Sequence, residues 1–153
     1  MIDDPAPPYL ASAVFYQDPK AALIWLEEAF GFEPSMVIVD QSGELAHSQM
    51  RFGDSLLMVG TEWSERHKSA KSTGGVNTQT VHVQLAADID AHCERARRHG
   101  AEILQEPETQ FYGDRTYRAL DPEGHIWTFG QTVEEMAPAE WEKTMGLVTR
   151  KRL

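Results

Sequence analysis

The sequence is short of several things, and each shortage removes a class of function. It has one cysteine, Cys93, so no intramolecular disulfide can form and no cysteine pair exists for zinc or redox chemistry. Long apolar runs are missing: none approaches the ~20 residues that cross a bilayer. The opening MIDDPAPPYL is acidic and proline-rich, unlike a signal or transit peptide. A cytoplasmic protein with no membrane partner is therefore expected. Positive charge is scarce, with 14 Lys and Arg against 24 Asp and Glu, and the net charge of −10 would repel nucleic-acid phosphates. The closing Arg150-Lys151-Arg152 is a local exception that reads as a solvated tail.

What remains is an ordinary globular composition, 41% hydrophobic and 25% charged over 153 residues, enough for one domain with a real core. That domain carries an internal repeat. At a shift of 70 residues Asp18 falls on Asp88, and each opens a helix; Asp18-Pro19 is a good cap and first-turn pair. Leu23, Leu26 and Phe30 fall on Cys93, Ala96 and Gly100, an apolar stripe at helical spacing in each half, which makes Cys93 a small core residue. Gly31 and Gly100 close the two helices.

Strand-like runs surround each helix, at residues 10–16, 35–40, 44–52 and 55–60 and again at 80–86, 102–105, 115–120 and 125–131. Gln41-Ser42-Gly43 and Asp121-Pro122-Glu123-Gly124 supply turns between them. The order is β-α-β-β-β twice, over residues 9–60 and 80–131. Residues 61–79, without periodicity and carrying Gly74-Gly75, predict a mobile connection. Residues 134–146 predict a short helix whose Trp141 and Met145, four apart, pack on the body of the fold or on a partner.

The stretches AADIDAHCERARRHGAEILQEPE (86–108) and GDRTYRALDPEGHIWTFGQ (113–131), with Ala29-Phe30-Gly31-Phe32 and Arg51-Phe52-Gly53-Asp54 in the first half, closely resemble the vicinal-oxygen-chelate superfamily of glyoxalases, bleomycin-resistance proteins and dioxygenases. YGDR and DPEGHIWTFG look most like its bleomycin-resistance and PhnB-like branches. The resemblance covers about residues 9–131. It implies an α+β fold in which two βαβββ modules form a cupped eight-stranded mixed sheet with helices outside, the concave face holding the site. A homodimer is common in such proteins.

Metal-dependent members hold a divalent ion with one residue from the first and last strand of each half: His, Gln or Glu on the first and Glu on the last. Such donors suit Mn, Fe, Ni or Zn. Carried onto this chain, the quartet reads Ala11 or Ser12, Met58, Val81 or His82, and Thr128. Only His82 is a strong ligand, and one imidazole cannot hold a catalytic ion that needs about three protein ligands. No metal is therefore expected, unless His47 and His82 form a displaced site.

Other residues keep two readings each. Arg115 and Tyr117 share a face of one strand, with Arg118 on the other, and either bind a ligand or brace the turn; Tyr117 is expected opposite Trp127 or Thr128. Trp63, on the 61–79 connection, is a candidate lid over a flat ligand or a dimer contact. Trp25 and Trp127 read as core, and His67, His92, His99 and His125 as helix-surface, loop or turn residues. The expected ligand site is His47, Met58, Trp63, His82, Arg115, Tyr117 and Thr128. It would enclose a small aromatic or cationic molecule without metal, in the manner of a sequestration or resistance protein; the alternative is a metal-dependent lyase, dioxygenase or isomerase.

Overall fold

The structure, a computed structural model, describes residues 8–153. Its element order is β1 (Ser12–Tyr16), α1 (Pro19–Trp25) running into a π-helical turn (Leu26–Phe30), β2 (Glu33–Val39), β3 (Leu45–Phe52), β4 (Ser55–Thr61), a 3-10 turn (Ala70–Thr73), β5 (Val81–Gln84), α2 (Ile89–Arg98), β6 (Glu102–Thr109), β7 (Asp114–Leu120), β8 (Ile126–Thr132) and α3 (Pro138–Met145). The βαβββ repeat is therefore present. The eight strands are divided between two four-stranded mixed sheets, ordered β1-β4-β3-β2 and β5-β8-β7-β6, rather than hydrogen-bonded into one.

Local chemistry sets the helix ends. The Asp18 carboxylate accepts from the Ala21 N–H at 3.1 Å, with Pro19 behind it, and Gly31 takes a left-handed φ of 79° to end the π-helical turn. Asp88 also precedes its helix but caps nothing with its side chain; it sits at φ 56°, and Gln131 Oε1 accepts from the Ile89 N–H instead. Arg95 of α2 donates to the backbone oxygens of Glu27 and Glu28, satisfying carbonyls that the end of the first helix leaves open.

One apolar core joins both modules. Val14, Tyr16, Met50, Leu57 and Val59 from the first sheet and Val83, Tyr117, Ala119, Trp127 and Phe129 from the second are buried against the helices. Phe30 lies between the halves, 5.5 Å from the Trp127 ring and 4.7 Å from that of Phe129. Cys93 is fully buried, as its helical stripe predicts, and burial pushes its thiol up to about 11. Trp25 packs on the core edge and donates its indole N–H to His99 O.

His92, expected to be a helix-surface, loop or turn residue, and Asp121, of the predicted turn, both hold the structure together. His92 bridges the modules: Nε2 lies 2.8 Å from Phe30 O and Nδ1 2.6 Å from Tyr117 Oη. Since a carbonyl only accepts, Nε2 carries the proton and Nδ1 accepts from the tyrosine. Burial holds the His92 pKa below its ordinary 6.5. Asp121, with a fully buried carboxylate, accepts from Tyr16 Oη at 2.6 Å, Trp127 Nε1 at 3.1 Å, the backbone N–H groups of Glu123 and His125, and His125 Nδ1 at 3.1 Å. Burial alone would raise its pKa, but the His125, Tyr16 and Trp127 hydrogen bonds together hold it below the usual carboxylate value.

The 61–79 connection is hydrogen-bonded to the ends of the neighbouring strands and to the 121–125 turn. Ser69 donates its hydroxyl to Glu123 and its N–H to Glu62, and Asn77 spans Gly124 O and the Ile126 N–H. The C-terminal helix buries no residue; Trp141 meets Phe111 edge-on at 6.5 Å, while Met145 is exposed. Among the described residues no helix is long and apolar enough to cross a membrane.

Asp121→Asn should cost on the order of 3 kcal/mol, as expected when a buried hydrogen-bonded charge is removed from its partners. Tyr16→Phe, which deletes one donor, should cost about 1–2 kcal/mol; urea unfolding of both variants measures the difference. The pH profile follows from the two lowered pKa values. His92 is neutral when folded, so the unfolded chain takes up its proton first and stability should fall as pH drops below about 6.5. The Asp121 contribution is lost only further down, as pH passes below the ordinary carboxylate value and then the folded one. His92→Gln should flatten the first decline in thermal midpoint and leave the second.

Candidate functional site

Each sheet has one side against the helices and one open side, and strand register determines which residues share the open side. In the second sheet His82 pairs with Thr128, Thr128 with Arg118, and Arg118 with Gln105, so these four form one row across all four strands. In the first sheet the corresponding row is Ala13, Met58, Gln49 and Met36. One row is polar throughout; the other is apolar but for a single amide.

The polar row is held by hydrogen bonds along the sheet. His82 Nε2 lies 3.0 Å from Gln84 Oε1, and the Gln84 amide nitrogen donates to Asp114 Oδ2 and Thr132 Oγ1, each at 3.3 Å. Because Gln84 Oε1 accepts, the His82 proton in this contact sits on Nε2. Thr80 and Thr128 share a hydroxyl contact of 2.8 Å, and Arg118 Nη1 donates to Gln105 Oε1 at 2.9 Å. Gly130 gives this group its space: a Cβ there would lie 2.9 Å from Gln84 Oε1 and 3.2 Å from the His82 ring. In the first sheet His47 is one pair further along β3, where Gln49 Nε2 donates to its Nε2 at 3.0 Å.

The rows meet at the seam between β1 and β5. A cleft of about 570 Å³ runs along it, lined by Ala11 and Ala13 on one strand, Val81 and His82 on the other, and Phe32 and Phe52 at one end. A second cleft of about 340 Å³ lies under the 61–79 connection, lined by Phe15, His67, Asn77 and His125. Trp63 is 65% exposed and stacks on His67 at 3.9 Å, and His67 meets Phe15 edge-on. Trp63 thus caps an aromatic stack beside the second cleft rather than covering the polar row.

Of the expected site residues, His82, Met58, Thr128 and His47 lie on the open sides. Arg115 and Tyr117 do share a face, but it is the helix-facing one. Tyr117 is fully buried and stacked on Phe129, and Arg115 is ion-paired with Asp90 at 2.8 Å. Neither reaches the open side; Arg118 does. The register explains this. His125 is drawn into the turn by Asp121, Leu120 pairs with Ile126, and Tyr117 falls opposite Phe129 rather than Trp127 or Thr128.

The same register revises the quartet. The open-side neighbour of Met58 is Ala13, not Ala11 or Ser12, and that of Thr128 is His82, not Val81. The offsets differ between the modules: Ala13 stands five positions before Asp18 and His82 six before Asp88. Ala13, Met58, His82 and Thr128 offer one imidazole, one hydroxyl and no carboxylate, which does not fit a catalytic divalent ion. Among the described residues one group of three His, Cys, Asp or Glu donors falls within a single ion's reach, Cys93 with Glu94 and Glu106. Its thiol is buried and Arg97 already pairs with both glutamates, so it does not suit an ion either, and it includes neither His47 nor His82.

Comparison with known proteins agrees with this architecture. A sequence model of the Glyoxalase/Bleomycin resistance protein/Dioxygenase superfamily matches residues 9–129. An uncharacterized protein of Mycobacterium bovis is 28% identical over 142 residues, covering 90% of this chain and 92% of its own. Among solved structures, TioX from Micromonospora sp. ML1 is 29% identical with a TM-score of 0.67, covering 82% of this chain and 98% of its own. TnmS3, an antibiotic binding protein from Streptomyces sp. CB03234, is 19% identical with a TM-score of 0.63, covering 83% and 98%.

Gly130→Ala should leave the fold intact, since the clashing atoms are side-chain ends that can move. It should displace His82 and Gln84, shifting the His82 imidazole resonances in ¹H–¹⁵N spectra while the thermal midpoint stays within a few degrees of wild type. Unchanged His82 resonances would mean that Gly130 does not shape the polar row.

Proposed function

The chain belongs to the Glyoxalase/Bleomycin resistance protein/Dioxygenase superfamily, and within it we propose that this protein binds a small amphipathic molecule on its open sheet faces without metal, as a sequestration or resistance protein does. The carrying observation is the donor set: Ala13 and His82 line the seam cleft, Met58 and Thr128 are their partners on the neighbouring strands, and the apolar and polar rows extend from these four. That arrangement suits recognition by contact and hydrogen bonding better than Lewis-acid chemistry. The fold shared with an antibiotic-binding protein supports the same reading.

The reading includes a homodimer. Edge strand β2 exposes Met36, Val37, Ile38 and Val39 in succession, an apolar strip of the kind that sheet proteins cover. Light scattering should give twice the 17.2 kDa chain mass, and Val37→Lys with Val39→Lys should return it to that of the single chain.

Function is tested by two measurements on protein purified without chelator. Elemental analysis should find less than one-tenth of an equivalent of Mn, Fe, Ni or Zn per chain. Thermal-shift screening of antibiotics and aromatic metabolites should find ligands whose stabilisation survives chelator and is lost on His82→Ala. About one equivalent of tightly held metal, lost in His82→Ala, would instead favour an enzyme of the lyase or dioxygenase kind.

A further inference from the structure

The two open faces differ in a way the shared fold does not require. Leading away from the seam, one row runs Ala13, Met58, Gln49, Met36 and the other His82, Thr128, Arg118, Gln105. Ala13 and His82 line the same cleft, so one molecule lying across the seam touches both rows. At about 4.8 Å between strands, the Arg118 position is roughly 10 Å from that of His82, within the span of a two- or three-ring compound.

Arg118 is the distinctive member of this set. Arg115 is paired with Asp90 and Arg97 with Glu106, while Arg95 is used on backbone carbonyls. The guanidinium of Arg118 donates from Nη1 to the neutral Gln105 Oε1, and among the described residues no carboxylate is hydrogen-bonded to it. A guanidinium has five N–H donors in a planar fork, so most of this one remains available. The Thr128 hydroxyl stands beside it in the row. Asp114, on the same side of β7, is four residues away, about 13 Å along the strand, and is engaged by Gln84, while Glu102 and Glu108 of β6 lie diagonally from Arg118, opposite Leu120 and Thr116, without a hydrogen bond to it.

We propose that the second sheet binds the anionic group of the ligand, a carboxylate or sulfonate, through Arg118 assisted by Thr128, while the ligand's apolar rings lie over Met58 and Ala13. The proposal rests on the reading of the open faces as a ligand site and adds the polarity of what they bind. It predicts an acidic aromatic ligand despite the chain's net charge of −10. Arg118 is the specificity-determining group, because a planar fork grips a carboxylate or sulfonate with two hydrogen bonds and a neutral ring system with none.

Two dyes with the same rings test this: 8-anilinonaphthalene-1-sulfonate, and uncharged N-phenyl-1-naphthylamine, titrated by fluorescence into the natively folded protein. Wild type should bind both. Arg118→Gln should weaken the sulfonate at least tenfold and the neutral dye less than twofold, with Arg118→Lys intermediate and circular dichroism unchanged. Met58→Ala should weaken both dyes alike, and 0.5 M salt should weaken the sulfonate alone. If both dyes bind and Arg118→Gln weakens them equally or not at all, the anion site is wrong while the open-face reading survives. If neither dye binds, that reading fails and the anion site fails with it.

Discussion

The buried carboxylate of Asp121 fixes the geometry on which the rest of the molecule depends. Strands β1 and β5 face each other across a cleft, but β1 is paired with β4 and β5 with β8, so no backbone ladder among the described residues closes the seam. Side chains must set its width. Asp121 gathers the Tyr16 hydroxyl from β1, the Trp127 indole from β8 and the imidazole and backbone of its own turn. Its neighbour Glu123 accepts from the backbone N–H groups of Gln17 and Asp18, and from Ser69 of the connection. A single five-residue turn in the second module thus holds the end of β1, the start of α1 and the 61–79 segment. A buried charge is tolerable only with such a full set of donors.

That dependence also explains what could and could not be read from the sequence. The repeat, the eight strands, both main helices and the buried Cys93 and Trp127 were legible because each follows from a local signal: an Asp-Pro cap, a closing glycine, an apolar stripe. The open faces were not, because strand side chains alternate and one residue inverts them. His125 read as a turn residue without chemistry, yet its bond to Asp121 takes it out of β8 and resets the pairing to Leu120 with Ile126. The consequence is that Tyr117 and Arg115 turn inward and Arg118 outward. In the same way, the first-strand positions fall at Ala13 and His82, five and six positions before their helix-opening aspartates, rather than at one common offset.

The two modules were held to different standards on their two sides. Facing the helices, both must fill one close-packed core, and both do so with aliphatic and aromatic residues on alternate positions. Facing outward, no such requirement acts, and the rows share only an amide, Gln49 in one and Gln105 in the other, among otherwise unlike residues. Glycine follows the same division. Gly60 lies beside the Phe15 ring in the first module, where a Cβ would make only ordinary contact, while Gly130 leaves room for His82 and Gln84 in the second, where a Cβ would not fit without displacing them.

Net charge and local charge therefore give opposite indications of what this surface attracts. The excess of carboxylates argues for a cationic ligand only if those carboxylates act at the site, and several are committed elsewhere: Asp18 to a helix cap, Asp90 and Glu106 to arginines, Asp121 and Glu123 to the seam. Exposed charges further than a Debye length, about 8–10 Å at physiological salt, are largely screened from a bound molecule. On that face the strand register places Arg118 directly beside Thr128, Glu102 and Glu108 of β6 diagonally from Arg118 through their partners Leu120 and Thr116, and Asp114 about 13 Å from Arg118 along β7, beyond the screening distance. The field that a ligand meets on the second sheet is consequently set by these few groups rather than by the sum over the chain, and among them Arg118 is the one that favours an anion.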